Sequence, residues 1–63
     1  ETMIVIRTVP GTTGVVADYL DRQDDLNILG TLAGEDTVLV VPKSIVTLEQ
    51  DFKKICQRLN IRE

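Results

Sequence analysis

A chain of 63 residues is one small domain or part of one, and at that size folding buries only ~60% of the unfolded surface. Cys56 is the single cysteine and histidine is absent, which excludes an internal disulfide and a zinc site. The net charge is −3, and Arg7, Arg22, Lys43, Lys53, Lys54, Arg58 and Arg62 are scattered, which argues against the basic stripe of a nucleic-acid-binding domain.

Along the chain, Met3–Val9 is a β-branched run with apolar residues on both faces, predicting an interior strand. Pro10-Gly11 ends it. Val15, Val16, Tyr19 and Leu20 then recur at helical spacing, predicting a helix from about Thr12 to about Gln23 with an Asp18–Arg22 surface pair. Asp24, Asp25 and Asn27 favour a loop. Ile28–Ala33 and Thr37–Val41 read as two strands joined by a tight antiparallel hairpin at Gly34-Glu35-Asp36. Pro42 closes the second. Thr47 and Gln50 have capping-box spacing, and Leu48, Phe52, Ile55, Cys56 and Leu59 make an apolar stripe over about three turns, with Glu49–Lys53 as a surface pair. The expected fold is α+β, a two-layer sandwich of mostly antiparallel sheet and two helices. Three strands are thin for two helices, so a further strand, upstream or from a neighbouring molecule, is expected to complete the sheet. Residues 1–63 are read as one fragmentary domain.

With disulfide and metal set aside, association is the remaining aid to stability. Apolar residues make up 43% of the chain although only Tyr19 and Phe52 are aromatic, so aliphatic surface is expected to face another copy. No apolar run approaches the ~20 residues of a membrane span and no signal-peptide pattern opens the chain. The unpaired cysteine fits a reducing compartment, and the expectation is a soluble cytoplasmic protein.

Enzyme chemistry finds little purchase. The usual proton shuttle, histidine, is missing, and Cys56 lies on an apolar stripe with nothing nearby to activate it. Gly11-Thr12-Thr13-Gly14 lacks the spacing and the lysine of a phosphate loop. Two local features remain. N–H groups at the start of the first helix could hold a carboxylate or phosphate, although a plain strand-to-helix turn with Thr12 as N-cap accounts for the same residues. At the hairpin, Glu35 and Asp36 repel one another and would be stabilised by a cation, best a planar guanidinium, although polar turn chemistry also favours such residues.

Gly30-Thr31-Leu32-Ala33-Gly34-Glu35-Asp36-Thr37, followed by Val38–Val41, resembles the GT-apolar-x-GDDT segment in the C-terminal domain of the bacterial arginine repressors. Val5–Gly11 resembles their strand ending in Pro-Gly, and Tyr19-Leu20-Asp21 falls where they carry an apolar pair and an aspartate. The resemblance implies a trimer, two of which stack into a hexamer with L-arginine between them as effector and no other cofactor. Operator DNA is then bound only through a separate N-terminal domain. It also implies a strand before Met3–Val9. Carried over by position, Asp21 and Asp36 are ligand-binding aspartates, Thr31, Ala33 and Thr37 lie in the binding segment, and the helix start at Thr13 and Gly14 borders the site. Two departures stand out. Glu35 replaces an aspartate, and Gly14 stands where many members have a ligand-contacting glutamine. Two other functions stay open: a purely structural oligomerisation module, which Gly14 favours, and an amino-acid-binding regulatory domain of a metabolic enzyme.

Overall fold

The computed structural model describes residues 3–61, so Arg62 lies outside the described residues. Within them the chain runs β1 (Ile4–Arg7), α1 (Thr13–Asp21), β2 (Ile28–Ala33), β3 (Thr37–Pro42) and α2 (Leu48–Arg58), the predicted order in an α+β fold. The sheet order is β1-β3-β2 with both pairings antiparallel, so β3 is the central strand.

Alternation along β3 explains the layering. Val38, Val40 and Pro42 are buried, while Thr37, Leu39 and Val41 between them are only half-buried. The buried row pairs with Ile6 and Ile4 of β1, and Ala17 and Leu20 of α1, Leu26 of the loop and Ile55 of α2 complete the core. On the opposite face Val5, Leu39 and Leu32 line up across the three strands, and Val5 and Leu32 are 60% and 67% exposed. This face carries an apolar row that no other element covers among the described residues. A bulge between Ile28 and Gly30 leaves Leu29 exposed as well.

The expectation of an interior β1 is therefore corrected. Among the described residues β1 is an edge strand, and its second apolar face belongs to the bare side of the sheet, not to a second helix layer. A shallow apolar groove follows its outer edge, walled on the other side by Leu48, Phe52 and Ile55 of α2.

The junctions also refine the sequence reading. Val9–Thr12 form a type II turn, closed by Thr12 N–H to the Val9 carbonyl at 3.1 Å, and Gly11 supplies the required positive φ of 89°. Thr12 does not cap α1 with its side chain. Its hydroxyl donates to the Val9 carbonyl at 2.6 Å, because the turn folds that oxygen back within reach. Nor does Thr47 form a capping box. Its hydroxyl lies between Asn27 Nδ2, which donates to it at 2.9 Å, and Asp51 Oδ2 at 3.3 Å. The predicted Asp18–Arg22 pair is formed at 2.9 Å, but no Glu49–Lys53 bridge is. α2 ends in a Schellman motif: Asn60 has φ 58°, and Ile61 N–H reaches the Cys56 carbonyl at 2.8 Å.

Candidate functional site

Two segments that the sequence flags separately are joined in space. Thr8 N–H donates to the Asp36 carbonyl at 2.8 Å and Gly11 N–H to the Glu35 carbonyl at 3.2 Å. The buried Thr13 hydroxyl donates to the Gly34 carbonyl. The segment from Thr8 to the first residue of α1 is thus stitched onto the hairpin tip by three hydrogen bonds. The cause is topological: β1 runs beside β3, and the type II turn swings α1 directly over the end of the hairpin.

With its backbone oxygens held this way, the tip presents its side chains outward. Gly34 N–H to the Thr37 carbonyl at 2.8 Å closes a two-residue turn. Glu35 is exposed, and the half-buried Asp36 accepts the Thr37 hydroxyl on Oδ1 at 2.9 Å. Neither carboxylate has a Lys or Arg partner among the described residues. Gly14 is exposed in the first turn of α1, and a Cβ built there would meet nothing within 4 Å.

The other candidate carboxylate lies at the far end of the same helix. Asp21 is the last residue of α1, and its Oδ2 accepts the Thr31 hydroxyl at 3.0 Å. A helix from 13 to 21 is ~12 Å long, and β2 covers ~10 Å between Thr31 and Gly34. The candidate residues therefore fall into two groups: Asp21 with Thr31, and Thr13, Gly14, Glu35, Asp36 and Thr37 at the tip. Ala33 adjoins the second.

The edge of β2 connects them. Because Gly34 and Thr37 are a hydrogen-bonded pair, alternation makes Leu32 and Gly30 the β2 residues bonded to β3. Thr31 and Ala33 then turn their N–H and C=O groups outward, along an edge that no other strand occupies among the described residues. A row of free backbone donors and acceptors runs from the Asp21 end to the hairpin tip.

Around α2, sequence reasoning missed two carboxylates that are fully engaged. Asp51 is 2% exposed, and its Oδ1 accepts the Asn27 N–H at 3.1 Å. Its signal was present: with Leu48 and Ile55 at helical spacing, position 51 falls on the apolar stripe. Asp25 accepts two guanidinium N–H groups from Arg58 at 2.5 Å, with Lys54 Nζ at 3.8 Å. The bond from Arg58 holds the Asp25 carboxyl at about 2, below its ordinary 3.8, against a smaller opposing effect of desolvation. No short sequence pattern announces that pair, because its members are 33 residues apart. Cys56 is only half-buried and lines the groove beside β1, at the margin of the core. No described helix is long and apolar enough to cross a membrane.

Residues 1–59 match the family profile described as "Arginine repressor, C-terminal domain". An arginine repressor from Prosthecochloris aestuarii is 60% identical over 45 residues, 71% of this chain and 30% of the relative. One from Chlorobium limicola is 42% identical over 60 residues, 95% of this chain and 40% of the relative. One from Moorella thermoacetica is 43% identical over 58 residues, 87% of this chain and 38% of the relative. The chain thus spans well under half the length of these curated relatives, and no solved structure matches it. With a profile match across nearly its whole length, this chain belongs to the family of arginine repressor C-terminal domains.

Proposed function

We propose that this domain binds L-arginine and couples that binding to self-association, as the sensing part of a non-catalytic, cytoplasmic transcriptional regulator of arginine metabolism. Operator DNA is contacted through a separate N-terminal domain, in keeping with a match to only 30–40% of the relatives' length.

Beyond family membership, the observation that carries the reading is the pair of carboxylate groups at opposite ends of α1, neither with a cationic partner. L-Arginine is linear with a cation at each end, and a separation of roughly 10–12 Å leaves room for a hydrogen bond at both. In this arrangement Asp21 takes the α-ammonium and Asp36 the guanidinium, which it accepts through paired N–H bonds. The outward backbone groups of Thr31 and Ala33 flank the ligand, and the Thr37 hydroxyl orients Asp36. Glu35, one methylene longer than the family's aspartate, reaches the ligand of an opposing copy.

Three copies form a ring, and two rings stack with the ligand between them. The bare Val5–Leu39–Leu32 row supports packing between copies, since exposed apolar surface on so small a domain is the kind that association covers. Without ligand, six Glu35–Asp36 tips repel across the stack. L-Arginine supplies the missing positive charge and stabilises the assembly that binds it.

Calorimetry with L-arginine and L-citrulline tests the reading. Citrulline keeps the shape and loses the charge, so it should bind far more weakly, and equal affinities would remove the carboxylate–guanidinium contact. Sedimentation velocity should show L-arginine driving assembly of wild type but not of Glu35→Gln. The open space at Gly14 favours a second reading, a purely structural oligomerisation module. On that reading assembly is indifferent to L-arginine, and Gly14→Gln does not tighten binding.

A further inference from the structure

We infer that Arg7 is a resident guanidinium at the contact between neighbouring copies, paired there with Glu35 of the next copy around the ring. This rests on the self-association proposed above and adds to it the residue that sets how the copies are oriented.

In β1, Ile4 and Ile6 point into the core, so Val5 and Arg7 lie on the bare face of the sheet. The other strand positions of that face, Leu32 and Gly30 on β2 and Thr37, Leu39 and Val41 on β3, are uncharged. Arg7 is its one charge, is exposed, and has no ion-pair partner among the described residues. Covering the Val5–Leu39–Leu32 row with a second copy also removes water from Arg7. A guanidinium in that position requires a carboxylate from the partner.

Register identifies which one. Arg7 pairs with Thr37, which places it at the hairpin-tip end of the sheet. Asp36 at that end is half-buried and bonded to Thr37, whereas Glu35 is exposed and unpaired. Rotation about an axis along the strands keeps the tips level and carries Arg7 of one copy to Glu35 of the next. A two-fold axis across the strands would instead turn Arg7 towards the opposite end, where Lys43 follows β3. Charge complementarity therefore selects a closed ring and disfavours an antiparallel pair. In the empty ring Arg7 also occupies a carboxylate that free L-arginine would otherwise engage.

A charge swap tests the pairing, read by sedimentation velocity over a dilution series of the full-length protein without added L-arginine. Arg7→Glu should raise the dissociation constant of the ring about ten-fold or more, because it sets two carboxylates against each other. Arg7→Glu combined with Glu35→Arg should return to within about three-fold of wild type, since the reversed pair restores the attraction. Circular dichroism checks that each variant is folded, and the exposed position of Arg7 makes folding insensitive to the change. Assembly of Arg7→Glu equal to wild type, or a double variant as weak as the single, overturns the pairing. A wild type that stays monomeric at every concentration removes the self-association reading and the pairing with it. Failure to bind L-arginine leaves this assembly result unaffected, so the two readings fail separately.

Discussion

Carboxylates occur in two regions of this domain in opposite circumstances. Around α2, Asp51 is buried and accepts the Asn27 N–H and the Thr47 hydroxyl, and Asp25 is clamped by Arg58. At the hairpin tip and the end of α1, Glu35, Asp36 and Asp21 have hydroxyl partners or none, and no cation. A buried charge without partners is costly, so Asp51 must be satisfied for the chain to fold, while the exposed Asp25 is merely tied down by Arg58. The second set is left open to water and can be satisfied by something that arrives later. One region holds the fold, and the other is available to a ligand.

The comparison breaks most clearly at Asp36. Replacing it with Asn should weaken L-arginine binding by ~2–5 kcal/mol, the usual cost of truncating one side of a buried charged hydrogen bond. Chemical denaturation of the same variant should show a midpoint close to wild type. A large loss of stability would mean that Asp36 belongs with the structural acids.

Asp51→Ala should do the reverse. It strands the Asn27 N–H in a half-buried site, and an unsatisfied donor costs about 1–3 kcal/mol of stability. Binding per folded molecule should be unchanged, which calorimetry corrected for the folded fraction can check.

Thr13→Val sharpens the boundary between the regions. It keeps the shape and removes the hydroxyl that ties α1 to the Gly34 carbonyl, for a stability loss of about 1 kcal/mol. Because that bond also steadies the tip, amide exchange at Glu35 and Asp36 should quicken while exchange in α2 does not.

The smallest effect belongs to Asp25 and Arg58. Its folded carboxyl sits at about 2, below the ordinary 3.8, so the stabilisation is fully present above 3.8 and is lost as pH falls towards 2. The melting-temperature gap between wild type and Arg58→Gln should shrink across that window, and added salt should narrow it at neutral pH. A gap that is constant with pH would show that Arg58 acts through packing alone.

Much of this was readable from local pattern. Element order, the Pro10-Gly11 turn, the Asp18–Arg22 pair and the hairpin all follow from spacing within a few residues. The errors share a cause. Thr12 and Thr47 do stand at the N-cap positions that neighbour chemistry predicts, but their hydroxyls bond the Val9 carbonyl and the Asn27 and Asp51 side chains and not the helix N–H groups. Both faces of β1 are apolar, which points to an interior place, but apolarity does not say which layer lies against a face, and among the described residues β1 is an edge strand.

By itself, then, the sequence determined the elements, the polarity of their faces and, through the Gly30–Thr37 motif, the family, because each depends on residues near one another in the chain. Only the tertiary structure decided that the start of α1 is stitched to the hairpin tip, and that Asp21 finds Thr31 at the other end of the helix. It also decided that Thr31 and Ala33 turn their backbone groups to an open edge, and that Arg7 stands alone on a bare apolar face. Each of these depends on ladder phase and strand order. Pairing partners set both, and a strand's own residues do not encode which partner it will meet.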